Sequence, residues 1–304
     1  MIEKLDFAAL TSGDVTAREV LRRGVLETGF LQVVNTSVDK PEIDAIISAY
    51  RSFFKLPVES KQQVNMALTG SNRGWGAGGS ERVDPKANPD YKEVFDCGYQ
   101  LPDGDALSDS GLLVYGENLW PEMPVGFAQT VQDYYGKAIS LCREILAEIA
   151  GIIGRDATFF DDKFSSPMAL LRGNYYPARP DWAGDKDFGI AAHSDYGCLT
   201  LLTGDGTAGL EVKAANGEWH AVEVRPGEFV INFGEMLQMW SGGAVKATLH
   251  RVVGTGDERI SVPMFFNPNY DTDVSAEGQA PVSAGDYLTK RYDETYLHLQ
   301  KGKG

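Results

Sequence analysis

The chain is short of the residue types that would open several common readings. Cysteine occurs only three times in 304 residues, at Cys97, Cys142 and Cys198. An odd, scattered set of this kind excludes a disulfide framework, offers no metal-ligand spacing and suits a reducing compartment. Nowhere do eighteen apolar residues run together, the length a membrane-crossing helix needs. The opening MIEKLDFAAL also lacks the basic and apolar regions of a signal peptide, so a cytoplasmic protein without a membrane partner is expected. Positive charge is scarce: 28 Lys and Arg stand against 43 Asp and Glu, for a formal net charge of -15. Such a surface repels phosphate backbones on average, which argues against a nucleic-acid partner.

What remains is ordinary for a soluble globular protein with a sizeable core, at 43% hydrophobic and 23% charged residues. Residues 14–28, DVTAREVLRRGVLET, have a helical pattern behind an Asp cap, GFLQVVN follows as a short strand, and a second helix is expected over 40–55. From Phe127 onward, apolar residues recur at spacings of three and four through Val131, Tyr134, Ala138, Leu141, Ile145, Ile149 and Ile152. This is a long amphipathic helix closed by Gly154. From about 165 the pattern turns to short strands separated by turn residues. Asn216-Gly217 marks a hairpin, and RPGEFVINFG and ERISVPMFFNP follow as further strands. The fold class is therefore α+β with a mainly β core of sandwich, barrel or jelly-roll type. The organisation expected is a mixed α/β N-terminal region over 1–120, a supporting helix over 121–160, a β core over 165–275 and a helical C-terminal segment over 276–304.

Histidine is scarce too, with four copies. His220 follows the hairpin and His298 lies in the C-terminal helix, so both have surface explanations. His193 and His250 do not. In a strand, residues i and i+2 share a face, so His193 and Asp195 of AAHSDYGCLT can approach one ion together. A third ligand from a neighbouring strand, with His250 of ATLHRVV as the candidate, would complete a facial two-His-one-carboxylate set. Such a set leaves three coordination positions open and is diagnostic of non-haem Fe(II) oxygenases. Downstream, Arg259 and Ser261 again lie two apart. A guanidinium beside a hydroxyl is a carboxylate receptor, which an acidic protein needs locally to hold an anion.

With these residues in place, the chain resembles the Fe(II)/2-oxoglutarate dioxygenases of the isopenicillin N synthase-like family. The resemblance lies in HSD at 193–195, HRV at 250–252, RIS at 259–261 and NYYP at 174–177, in the family's order. NRGWGAGGSE and DYKEVFDCG extend it over nearly the whole chain. It implies a double-stranded β-helix, or jelly roll, with the long helix packed outside. It also implies Fe(II) on His193, Asp195 and His250, and 2-oxoglutarate held by Arg259 and Ser261 with Tyr176 and Asn174 nearby. The reaction implied consumes O₂ and 2-oxoglutarate, releases succinate and CO₂, and hydroxylates, desaturates or cyclises a small molecule.

For the primary substrate, strand alternation turns Phe265 and Asn267 inward beyond Arg259 and Ser261, and turns Arg172 inward beyond Asn174. An aromatic wall, an amide and a guanidinium suit a flat or ring-bearing molecule with a carboxylate or other acceptor. The Gly-rich loop at 69–90, with Arg73, Trp75 and Arg82, is a candidate lid. Two alternatives stay open at this point: an Fe(II) oxidase of the same fold that does not use 2-oxoglutarate, and a jelly-roll binding protein without redox chemistry. Oligomeric state is not readable from these residues.

Overall fold

Asp14 and Asp39 open two helices for the same reason. Each side chain accepts a hydrogen bond from a backbone N–H of the first turn, and at Asp39 the Glu42 carboxylate reaches back to complete a capping box. A cap of this kind contributes about 1 kcal/mol. The computed structural model describes residues 2–68, 72–82, 88–179, 181, 183–184 and 189–295. In chain order it begins with β1 (Glu3–Asp6), α1 (Phe7–Thr11), α2 (Val15–Arg23), β2 (Phe30–Val34), α3 (Lys40–Phe54), α4 (Val58–Gln62), β3 (Gly74–Gly76) and β4 (Glu93–Gly98). The long helix α5 (Phe127–Ile152) follows, with Gly154 just past its end at φ +74°. The β core then runs β5 (Leu170–Tyr176), β6 (Ile190–His193), β7 (Leu199–Gly204), β8 (Leu210–Lys213), β9 (Trp219–Ala221) and β10 (Phe229–Phe233). The chain continues through α6 (Glu235–Trp240), β11 (His250–Val252), β12 (Arg259–Phe266) and α7 (Ala284–Thr295).

Two sheets result. The larger has eight strands in the order β1-β2-β10-β7-β12-β5-β4-β3, and the smaller has four in the order β6-β11-β8-β9. In the first half of the chain, β2 is the strand expected at GFLQVVN, and with β1, β3 and β4 it extends the large sheet at both edges. The expected helix over 14–28 is α2 followed by a π turn at Gly24–Thr28. The Asn216-Gly217 hairpin joins β8 to β9, with Gly217 at φ +87°. His250 and Arg259 are not joined by a simple turn within one sheet: β11 belongs to the small sheet and β12 to the large one.

Strict two-residue alternation positions the site. On β12, Ile260, Val262, Met264 and Phe266 are buried in the main core; on β7, Leu199 and Leu201 join them, and on β10, Phe229, Ile231 and Phe233. α3 and α5 cover that face with residues such as Ile43, Ile47, Tyr50, Leu141 and Ile145. Each fully buried aliphatic or aromatic side chain contributes roughly 1.5–3 kcal/mol. The opposite faces of the same strands point between the two sheets. There a smaller cluster, including Phe30, Leu202, Leu210, Val230 and Val252, packs the interior.

Candidate active site

His193 ends β6 and His250 begins β11, and the two are directly paired across the small sheet. Asp195 is not in the strand with His193, as strict alternation would have it. It lies in the connection from β6 to β7, so its approach to His193 is set by a turn. The turn brings Asp195 Oδ1 to 3.7 Å from His193 Nε2 and 3.6 Å from His250 Nε2. The ligand atoms of these three residues all lie within 4.8 Å of one another.

Each ligand has its second polar atom engaged. His193 Nδ1 lies 2.8 Å from the Ala191 carbonyl and His250 Nδ1 lies 3.1 Å from that of Thr248. A carbonyl only accepts, so each Nδ1 carries the hydrogen and each Nε2 keeps a lone pair for a metal. Asp195 Oδ2 accepts from Thr200 Oγ1 and from Asn232 Nδ2, both at 2.5 Å, which leaves Oδ1 for the metal. Burial and the neighbouring His250 push His193 down to about 4, so its ring is neutral near pH 7. Burial alone would raise Asp195, yet the two imidazoles and the Thr200 hydroxyl hold it below the usual carboxylate range. At His250 burial works downward, but attraction to Asp195 outweighs it and raises the imidazole. Two imidazole nitrogens and one carboxylate, converging and supported from behind, fit a non-haem Fe(II) site with open positions.

The turn carrying Asp195 is itself fixed. Asn267 Oδ1 accepts from the Cys198 backbone N–H at 3.0 Å, and its Nδ2 donates to the Met168 carbonyl at 3.2 Å. A Cβ at Gly197 would stand 1.8 Å from Asn267 Oδ1, so only glycine lets the turn pass.

On the large sheet, Ser261 pairs with Asn174 and Arg259 with Tyr176, in register across β12 and β5. Arg259 is 4% exposed; its Nε donates to the Thr207 carbonyl at 3.2 Å and its guanidinium lies over the Tyr176 ring at 4.9 Å. Its Nη1 is buried without a hydrogen-bond partner, and no carboxylate among the described residues pairs with it. A buried guanidinium left in this state fits the distal carboxylate of 2-oxoglutarate. Asn174 Nδ2 contacts Ser261 Oγ at 3.4 Å, and its Oδ1 is also buried without a donor.

Every residue expected from the sequence to touch metal, 2-oxoglutarate or substrate, including Arg172, Phe265 and Asn267, lines one cavity of about 130 Å³. Their roles, and those of the loop residues, differ from the expectation in three places. Asn267 holds the backbone at Cys198 and Met168 rather than offering its amide to a ligand. Arg172 is engaged by Asp96 and Glu81. Arg73 and Trp75 are buried and pinned: Arg73 donates to the Asn72 and Val114 carbonyls, and Trp75 Nε1 donates to Glu93 at 2.7 Å. Both are buried in the interior and neither lines the cavity, so they are not lid residues. Arg82 joins the loop to α7 through its backbone N–H on the Thr295 carbonyl at 3.2 Å, whereas 69–71 and 83–87 of the candidate lid, like His298, lie outside the described residues.

Sequence reasoning missed Asn232 and Thr200 behind Asp195, although Asn232 is the one polar side chain in FVINF and thus a legible signal. It also missed Glu81 and Lys92 and the α7 residues Leu288, Tyr292 and Thr295, which complete the cavity wall. Those carry no local pattern.

Comparison with known proteins agrees with this geometry. Residues 167–268 match the 2OG-Fe(II) oxygenase superfamily, and residues 2–123 match the non-haem dioxygenase in morphine synthesis N-terminal family. The chain is 31% identical to the 2-oxoglutarate-Fe(II) type oxidoreductase hxnY of Emericella nidulans, over 88% of this chain and 79% of that one. It is 33% identical to a homoarginine-6-hydroxylase of Arabidopsis thaliana, over 86% and 80%. Among solved structures, a full-length Neurospora crassa protein in complex with alpha-KG superposes with a TM-score of 0.85 at 28% identity, covering 96% of this chain and 95% of that one. The same Neurospora protein is also known with alpha-KG and thymine bound together. The chain belongs to the 2-oxoglutarate- and Fe(II)-dependent oxygenases. It is an oxidoreductase that uses Fe(II), 2-oxoglutarate and O₂, built on the jelly-roll fold.

Proposed function

We propose that in this oxygenase His193, Asp195 and His250 hold Fe(II), that Arg259 and Ser261 hold the distal carboxylate of 2-oxoglutarate, and that Tyr176 and Asn174 shape its pocket. The observation that carries the assignment is the pairing of two incomplete sites in one cavity. One is a converging His-Asp-His set whose free atoms face a common point; the other is a buried guanidinium with an unused N–H. Bound Fe(II) supplies redox access to O₂, with 2-oxoglutarate giving up electrons as it is cleaved to succinate and CO₂.

The chain's own residues supply placement. The Ala191 and Thr248 carbonyls fix both imidazole tautomers, and Thr200 with Asn232 fixes the carboxylate rotamer, so no ligand must reorient when metal arrives. Tyr176 covers one face of Arg259 and excludes water from the anion pocket, which strengthens the charge-assisted bond. Phe265 gives the substrate end an apolar ring face, Arg172 stands on the same wall, and Asn267 supports the site through the Asp195 turn.

A small-molecule substrate is supported by the enclosed cavity, by the thymine bound to the Neurospora protein and by the homoarginine named for the Arabidopsis relative. The formal charge of -15 favours it over a nucleic acid. The test is a screen of small metabolites with anaerobically reconstituted enzyme. Succinate formation should rise with a true substrate and match oxidised product one for one. Product formation that does not need 2-oxoglutarate would move the protein to the oxidases of this fold.

A further inference from the structure

The cavity has two kinds of wall. On the strand side, a buried charge network ties β5 to β4 and to the segment preceding β4: Arg172 pairs with Asp96 and Glu81, and Lys92 with Glu81 and Asp90. On the other side the wall is a helix. Leu288, Tyr292 and Thr295 of α7 line the cavity at spacings of four and three, so they share one face. Tyr287 and Arg291, each one residue earlier, form the adjoining face, and both reach a single carboxylate, that of Glu235 at the start of α6.

Glu235 receives donors from two directions. From α7, the Tyr287 hydroxyl donates to Oε2 at 2.6 Å, and Arg291 Nη2 donates to Oε1 at 3.3 Å and stands 3.2 Å from Oε2. From the metal side, the Ser194 hydroxyl donates to Oε1 at 2.6 Å, and the Glu235 backbone N–H donates to the Asp195 carbonyl at 2.8 Å. Ser194 stands between His193 and Asp195 in the chain. The residue after Asp195 is tied to the same helix. The Tyr196 hydroxyl shares a hydrogen bond of 2.6 Å with Thr295 Oγ1, and the Arg291 guanidinium lies over the Tyr196 ring at 4.2 Å. Both chain neighbours of the carboxylate ligand are thus fastened to the helix that walls the cavity.

The two ends of this link differ in stiffness. At the metal end α6 meets the turn in close contact: a Cβ at Gly234 would stand 2.2 Å from the Gly197 carbonyl oxygen and 2.7 Å from that of Asp195. A shift of Glu235 therefore moves the backbone at Asp195. At the α7 end the Glu235 and Arg291 side chains are 30% and 31% exposed, so water competes for their contact.

Resting on the assignment of the metal to His193, Asp195 and His250, we infer that Glu235 is a positioning residue that couples α7 to the metal turn. Seated α7 holds Asp195 in register for the metal, and bound metal holds α7 over the cavity. Such coupling is reciprocal, so each effect is visible in the other's measurement. For the reaction, it means that the substrate end is closed to water when the metal site is assembled.

Hydrogen–deuterium exchange of the α7 amides, measured anaerobically on the full chain with and without Fe(II) alone, tests this. Fe(II) should slow exchange in wild-type α7 by about fivefold or more, a comparison that needs no variant to fold. Glu235→Gln keeps one oxygen acceptor but loses the charge and the second acceptor. Its α7 should no longer respond to Fe(II), and its Fe(II) affinity should fall by about fivefold or more. Tyr270→Phe removes a hydroxyl that donates to Asp286 near the start of α7, away from Glu235, and should leave both the Fe(II) response and the affinity near wild type. Wild-type α7 exchange indifferent to Fe(II) would overturn the inference. So would an intact Fe(II) response in a Glu235→Gln protein that merely melts earlier, which would mark the residue as structural, or loss of the response in Tyr270→Phe, which would show that any loosening of α7 suffices. Failure of the wild type to bind Fe(II), read by titration of the same sample, would instead sink the underlying metal assignment.

Discussion

His193 and His250 are one-to-one partners across adjacent antiparallel strands, with ring centroids 4.4 Å apart and Asp195 Oδ1 within 3.7 Å of both Nε2 atoms. Two neutral imidazoles gain little from such closeness in a metal-free protein, and their mutual repulsion when charged helps push His193 down. The arrangement makes physical sense as a metal cage whose ligands are held by hydrogen bonds on their far sides.

Those far-side bonds give the first prediction. Thr200→Val and Asn232→Ala each remove one donor from Asp195 Oδ2 while leaving all three ligands. Each should lower Fe(II) affinity by roughly 10–100-fold with little loss of fold. Metal titration of each variant, beside its circular dichroism, checks this.

Arg259 gives the second. Removing a buried charged partner costs about 2–5 kcal/mol, so Arg259→Ala should raise the KM for 2-oxoglutarate by tens-fold or more. Arg259→Lys keeps the charge but loses the planar fork, and should fall between. Fe(II) affinity should stay near wild type in both, because the Arg259 guanidinium donates to the Thr207 carbonyl and not to a metal-binding residue. Steady-state kinetics over a 2-oxoglutarate series reads the outcome.

The turn bearing Asp195 gives the third. Gly197→Ala drives a methyl into Asn267 Oδ1, and Asn267→Ala leaves the Cys198 N–H and Met168 carbonyl unpaired in the interior. Loss of a buried hydrogen-bond partner costs roughly 1–3 kcal/mol, so both variants should melt earlier and bind metal more weakly. Differential scanning calorimetry with and without Fe(II) separates the two effects.

A pH prediction follows from Asp90, raised to about 6 from an ordinary 3.8 chiefly by burial. Between those values the folded protein holds a proton that the unfolded chain has released. The stabilising contribution of the protonated group is therefore full below about 4 and is lost as pH rises through 6. The difference corresponds to on the order of 2–3 kcal/mol. Asp90→Asn should flatten the pH 4–6 segment of the stability profile and raise the melting temperature at pH 7. Urea titrations across that range test it.

Much of this site is written in local pattern. The period-two alternation of RISVPMFF places Arg259, Ser261 and Phe265 on one face and their apolar neighbours in the core, and the structure keeps that alternation. Asp39 with Glu42, and Gly154 after α5, mark helix ends by capping chemistry that acts within a few residues. What escaped detection depends on distant pairing. The edge strands β1 and β3 are short, and only the sheet they join defines them. Glu81 and Lys92 sit in or beside a Gly-rich loop with no periodicity, and Arg172, their companion in the buried network, is 91 residues from Glu81. Alternation turns Asn267 inward, but it says nothing of the Cys198 N–H that takes its oxygen.

The most direct test of the account is an anaerobic two-step titration, Fe(II) followed by 2-oxoglutarate, on wild type, His250→Ala and Arg259→Ala. Wild type should bind one Fe(II) and then one 2-oxoglutarate. His250→Ala should lose about 100-fold or more in Fe(II) affinity, and Arg259→Ala should bind Fe(II) normally while losing 2-oxoglutarate. Wild-type Fe(II) affinity in His250→Ala, or wild-type 2-oxoglutarate affinity in Arg259→Ala, would contradict it.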